Sequence, residues 1–279
     1  MVDIREEQSE QDASASSGTS SGGGGHSSTD VPPHQRSAPG ILSYLSGRPV
    51  DALLWLLRVS TLFFGILYAF PIWGGPQAQA SYYTKTLISG AATNALRLHQ
   101  RLGGFRLSRE FLSQMFLEDS CHYLFYCIIF LANSNSPVTM PLVPVFLFAL
   151  LHSASFTIQM LTACGLSANV VRVWLGRLVE NYSQSLLTVI ACTEIFLMPL
   201  TILMIFMGRG SLLVPVIHYR FLCLRYMSRR NPNTRLAFHR FRLALEQAVS
   251  GGGCPAFIRS TVYRSISIVE RLAPASAPA

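Results

Sequence analysis

Residues 111–132, FLSQMFLEDSCHYLFYCIIFLA, run into NSNSP at 133–137 and then into VTMPLVPVFLFALLHSASFTIQML at 138–161. Two apolar runs, each close to the roughly 20 residues that cross a bilayer core, are joined by a short uncharged turn. Upstream the same plan recurs: the run 53–72 meets Gly74, Gly75, Pro76 and Gln77, then a weaker apolar stretch to residue 95. Downstream, 186–207 and 212–224 are separated only by residues 208–211. Arg97, Arg101, Arg106, Arg109, Arg172, Arg177, Arg225, Arg229 and Arg230 fall between or after these pairs, where the positive-inside rule places the cytosol. The pattern predicts an all-α, polytopic membrane protein of helical hairpins with both chain ends in the cytosol.

Composition agrees. Half of the 279 residues are hydrophobic and 13% are charged, too apolar for an ordinary soluble domain. The net charge of +8 is uneven. Up to Asp51, seven acidic residues face Arg5, Arg36 and Arg48, whereas from Arg220 onward ten arginines face only Glu246 and Glu270. Residues 1–45, with a Ser/Gly-rich stretch and the run Gly22 to Gly25, carry too little apolar surface to offset ordering entropy. They read as a disordered cytosolic tail, followed by a membrane domain over 46–228 and a basic C-terminal region over 229–279. Six cysteines without a C-x-x-C pair read as small core residues, with Cys223 and Cys254 as candidates for acylation near the membrane surface.

The first pair leaves two topologies open. Arg58 lies near the start of its run, where its guanidinium can snorkel. The partner stretch, 78–95, carries Lys85, Asn94, Tyr82 and Tyr83; if it lies in the interface, three spans remain and the N-terminus is lumenal. Pro141 and Pro144 suit the first turns of a helix, while Pro199 and Pro215 are expected to kink theirs.

After Asn231 and Pro232 the pattern changes to two amphipathic helices joined by Gly251, Gly252 and Gly253. At 100° per residue, Ala237, Phe241, Ala244, Leu245 and Ala248 share one face, opposite Arg235, His239, Arg242 and Glu246. In the second helix Ile258, Val262, Ile266, Val269 and Leu272 gather together, flanked by Arg259, Arg264 and Arg271. Arg225, Arg229 and Arg230 lead into this block. Near an anionic leaflet each basic residue contributes on the order of 1 kcal/mol, and the apolar faces add to it. The lipid bilayer is therefore the expected partner. Nucleic acid is not, because it would leave those faces exposed; an acidic protein such as a transport receptor remains a third use of the charge.

Within the apolar runs, Glu118, Asp119, His122 and Glu194 are the ionisable residues that require a reason. One reading makes Glu118, His122, His152 and Glu194, with His218, the parts of an intramembrane enzyme or carrier. The other makes Glu118, Asp119, His122 and Glu194 structural, hydrogen-bonded across helices or paired with Arg97, Arg101 or Arg109. The second is preferred: no nucleophile motif, phosphate loop or metal triad accompanies them, and no catalytic residue, cofactor or metal is assigned.

Several of these stretches resemble the transmembrane protein 33 family, whose insect member is called Krüppel homolog 2 and which has yeast pore-membrane relatives. The matching pieces are RLHQRL at 97–102, LEDSCHYL at 117–124, PVTM at 137–140, EIFLMP at 194–199, YRFL at 219–222, SRRNP at 228–232 and RLAP at 271–274. The resemblance covers about residues 45–275. It implies a non-enzymatic protein of the endoplasmic reticulum and nuclear envelope, usually described with three spans. It also implies links to reticulon-type tubule-shaping proteins, to nuclear pore components and to the unfolded-protein stress response. Attachment by C-terminal amphipathic helices, attributed to the yeast relative, would fall here on 234–249 and 255–272.

Overall fold

A computed structural model describes residues 40–70, 75–103, 108–134, 137–228, 232–251 and 254–274. The acidic tail expected at 1–45, except for its last six residues, lies outside the described residues, as do Arg229 and Arg230. Among the described residues the chain is all helical: α1 Ile41–Ser46, α2 Pro49–Ala69, α3 Pro76–Leu102, α4 Arg109–Leu117, α5 Asp119–Ala132, α6 Leu142–Ala163, α7 Val170–Phe206, α8 Leu213–Met227, α9 Asn233–Ser250 and α10 Ala256–Leu272. Proline opens α2 and α3, where its missing N–H would find no partner in any case.

Six helices close into a ring, α2 against α3, α3 against α5, α5 against α8, α8 against α7, α7 against α6 and α6 back against α2. Each consecutive pair, α2–α3, α5–α6 and α7–α8, turns at the same end of the ring. The antiparallel registers show it: Thr61 meets Ser89 across α2 and α3, Trp55 reaches Thr157 and a Cβ on Gly65 would meet Phe146 across α2 and α6. The basic ends of α3 and α8 meet the acidic start of α5 at the opposite end, where Arg101 pairs with Glu118 and Arg225 with Asp119. Arg209 is the arginine at the turn end, in the α7–α8 connection beside the left-handed Gly208.

Polarity is inverted relative to a water-soluble bundle. On α2 the buried residues are Leu54, Arg58, Thr61, Gly65 and Tyr68, while Leu53, Leu56, Phe63 and Ile66 face outward. On α7 Val189, Phe196, Ile202, Leu203 and Phe206 face outward around a buried Glu194. Such an exterior is matched by lipid tails and not by water. Helices α2, α6 and α7 are long and apolar enough to cross a membrane, and α4 with α5 adds a fourth candidate if the bent pair counts as one span. The chain is a polytopic membrane protein.

Three expectations change. The run 111–132 is not one helix: the chain bends by 82° between α4 and α5, because Glu118 is extended (φ −86°, ψ 124°) and caps α5 with its carbonyl while its side chain goes to Arg101. The run 186–207 is the end of a longer helix that begins at Val170; its 37 residues extend about 55 Å, well beyond a core of about 30 Å. Pro215 stands in the first turn of α8, where it needs no kink. Pro199, by contrast, lies within α7. The polar helix α3 is long enough to cross but lacks an apolar surface; it is packed against α2, α5 and α6, and Thr86, Thr93 and Asn94 return their side chains to its own carbonyls, which removes the cost of burying them.

Candidate functional site: a charged chamber and a basic apolar rim

Four polar positions singled out in the sequence lie near one another at the basic end. Glu118 pairs with Arg101 of α3 at 2.6 Å. Asp119 receives Arg225 at 3.3 Å, the Ser228 hydroxyl at 3.2 Å, and lies 3.6 Å from His122. The His122 ring also reaches the Phe116 carbonyl at 2.7 Å, bracing α5 against α4 across the bend. Glu194, fully buried on α7, accepts a hydrogen bond from Tyr123 of α5 and lies 3.5 Å from Arg225 of α8. The Arg225 guanidinium lies over the Tyr123 ring at 5.0 Å. His218 adds a bond to the Glu194 carbonyl at 2.9 Å. One arginine thus bridges acids from two other helices, with an aromatic face beneath it.

Arg225 is accordingly displaced from the surface set in which its sequence position put it. It is 1% exposed, its charge engaged by Asp119 and Glu194, because α8 ends against the start of α5. Arg58 departs similarly: instead of reaching outward to the interface it is buried and turned into the ring.

Inside the ring, toward the basic end, a cavity of about 80 Å³ is lined from five helices. Arg58 comes from α2, Arg97 and Arg101 from α3, Asp119 from α5, His152 from α6 and Arg225 from α8. His152 stacks on Phe148 there, the ring centroids 6.0 Å apart. Of the residues considered for catalysis, His152 lines this chamber, Glu194 stands behind Arg225, and Glu118 and His122 lie at the α4–α5 bend. Among the described residues there is no group of three His, Cys, Asp or Glu side chains able to hold a metal.

The amphipathic elements lie at the α4–α5 bend and along the outer sides of α7 and α8. Helix α4, nearly at right angles to α5, exposes Leu112, Phe116 and Leu117. Helix α9 packs on α7: Gln184 donates to Asn233 at 2.9 Å and Phe241 sits edge-on to Phe196 at 4.9 Å. Phe241 is therefore shared with α7, while Leu245 stays exposed. Helix α10 folds back on α9, held by an ion pair between Arg242 and Glu270 and by Arg259 bonding to the Val249 and Gly251 carbonyls. Hydrogen bonding to Glu246, with the charges of Glu270 and Glu246, holds the Arg242 guanidinium above its ordinary pKa. Val262 and Ile266 are half-buried, but no α10 residue is fully buried. Phe257, Ile258, Ile268, Val269 and Leu272 remain exposed, beside Arg264 and Arg271. Tyr219 of α8 donates to the Leu272 carbonyl and fixes the end of α10 against the bundle.

The family model described as "Transmembrane protein 33/Nucleoporin POM33" matches residues 33–275. "Transmembrane protein 33" of Mus musculus is 46% identical over 246 residues, covering 88% of this chain and 98% of the relative. "Transmembrane protein 33 homolog" of Caenorhabditis elegans is 41% identical over 84% of this chain and 85% of its own length. "Krueppel homolog 2" of Drosophila melanogaster is 38% identical over 86% and 84%. No solved structure matches.

Proposed function

The chain belongs to the transmembrane protein 33/nucleoporin POM33 family, and from that premise we propose that it is a non-enzymatic organiser of the endoplasmic reticulum and nuclear envelope. In this reading the hairpins enter from the cytosolic face, so that their turns point to the lumen. The C-terminal helices stay in the cytosolic leaflet. The observation that carries it is α10, whose apolar face, among the described residues, keeps Ile258, Val269 and Leu272 exposed and Val262 and Ile266 half-buried, and is flanked by Arg264 and Arg271. A helix of this kind inserts into loosely packed headgroups and binds curved anionic membranes best.

Two further features support the same direction. Helix α4 lies across the basic end with exposed apolar side chains, and α9 starts near that end, where Asn233 meets Gln184 of α7. A body wider in one leaflet favours membrane curved toward that leaflet. Reticulon-type proteins, which shape the same membrane, are the proposed partners, together with nuclear pore components or a transport receptor. Modulation of the stress response would follow from altered membrane organisation.

The test is the full chain reconstituted in giant vesicles containing anionic lipid, from which tubules are drawn. The parent protein concentrates in the tubules. The combined Phe257→Asp and Ile268→Asp variant loses that preference, since each large apolar side chain contributes about 1.5–3 kcal/mol when buried. An unchanged tubule-to-vesicle ratio in the variant removes α10 from the mechanism.

A further inference from the structure

An arginine three residues before a serine or threonine is a charge pattern that one large class of protein kinases reads, through acidic side chains in the substrate cleft. Three hydroxyl groups of this chain have such an arginine: Thr61 after Arg58, Ser228 after Arg225 and Ser267 after Arg264. The fold withdraws the first two. Thr61 is 1% exposed within the ring and bonds to Ser89 of α3. Ser228 donates to Asp119, and the arginine before it is buried against Asp119 and Glu194. Ser267 lies on α10, where no residue is fully buried, and Arg264 is exposed beside it. Helical spacing puts Ser267 on one face with Arg264, three residues before it, and Arg271, four residues after it. Among the described residues neither of these guanidinium groups pairs with an acid, and Glu270, the acid of α10, is taken by Arg242.

We propose that Ser267 is the modification site of an arginine-directed protein kinase and that its phosphate releases α10 from an anionic leaflet; the release rests on the attachment proposed above. In the transfer the Ser267 Oγ attacks the γ-phosphorus of ATP and the bond from that phosphorus to the bridging oxygen breaks. ADP leaves, and the hydroxyl proton passes to a carboxylate base of the kinase. The product carries about −1.5 to −2 charges. Arginine forks bind phosphate oxygens strongly, so Arg264 and Arg271 turn from lipid phosphates to the phosphoserine between them. Three arginines against Glu270 give α10 its positive excess, and one phosphate erases it. The phosphate also stands between Ile266 and Ile268, so sinking that edge of the helix into lipid would strip water from a dianion. A kinase takes its substrate extended. Helix α10 meets that demand because it is fixed by exposed contacts, Arg242 to Glu270 and Tyr219 to the Leu272 carbonyl, and local opening of such an element costs little.

The experiment treats the full-length protein in detergent with the catalytic subunit of an arginine-directed kinase, ATP and Mg²⁺, and locates the phosphate by mass spectrometry. The product is then reconstituted into giant vesicles of phosphatidylcholine and phosphatidylserine, from which tubules are drawn. Phosphate is expected on Ser267 and not on Thr61 or Ser228. Arg264→Gln lowers its incorporation, and Arg264→Lys retains part of it. The phosphorylated protein loses its preference for tubules, whereas Ser267→Ala, treated in the same way, keeps the tubule-to-vesicle ratio of the untreated parent. Absence of phosphate from Ser267 overturns the site. Phosphate on Ser267 with an unchanged ratio overturns the release. In that case the combined Phe257→Asp and Ile268→Asp variant tells the two failures apart: a fall in its ratio leaves the attachment of α10 standing, and an unchanged ratio removes the attachment as well.

Discussion

Arg225 is the residue through which three helices of the ring are tied. Its guanidinium meets Asp119 of α5 and Glu194 of α7, while Tyr123 supplies a ring face to the cation and a hydroxyl to Glu194. A buried charge whose partner is removed cannot recover water, so breaking such a pair costs far more than the pair gains in forming. Glu194→Leu is therefore expected to destabilise the protein by about 3–5 kcal/mol, read as a shift of the unfolding midpoint in detergent. Glu194→Gln, which keeps an acceptor for Tyr123, costs less. Equal losses for the two variants would mean that the Tyr123 hydrogen bond contributes nothing to the tie and that the loss is that of the charge. That Glu118, Asp119 and Glu194 are ionisable residues in apolar surroundings was evident along the chain. That one arginine serves two of them was not, because Asp119 and Arg225 are more than a hundred positions apart and only the docking of α8 on α5 joins them.

Helices pack closely here where side chains are smallest. A Cβ at Gly90 of α3 would stand 2.6 Å from Val145 Cγ1 of α6, and one at Gly65 of α2 would stand 2.7 Å from Phe146 Cδ2. Without a hydrophobic drive between helices in lipid, such close approach and its dispersion energy hold the crossings together. Gly90→Ala should cost about 1–3 kcal/mol by overpacking, measured as the same unfolding shift. Gly176, on the N-terminal part of α7, has nothing within 4 Å of its Cβ position; Gly176→Ala should stabilise by about 0.5–1 kcal/mol through backbone entropy alone. The opposite signs separate packing from propensity. Amphipathic periodicity located α9 and α10 to within a residue or two, since their pattern is internal to each helix. It could not locate the break at Glu118, whose flanking residues are apolar on both sides and whose conformation is set by Arg101 from another helix.

For the molecule as a whole, the three hairpin turns share one end and the arginine-rich helices share the other. If the basic end faces the cytosol, an impermeant maleimide outside sealed microsomes labels Ser260→Cys on α10. Ser211→Cys, in the α7–α8 turn, is labelled only after permeabilisation, with the native cysteines giving the background in both cases. Asn181, exposed on α7 within an N-x-S triplet, stays without a glycan in the same orientation; a glycan there reverses it. The sequence by itself determined the membrane class and the amphipathic C-terminal helices, because these depend on composition and on periodicity between near neighbours along the chain. The tertiary structure decided which side of each helix meets lipid and how the six helices close into a ring. It also turned Arg58 and Arg225 from the surface into a shared chamber. These depend on contacts between residues far apart in sequence, where the energy of an arginine is set by the acid or aromatic ring that another helix brings to it.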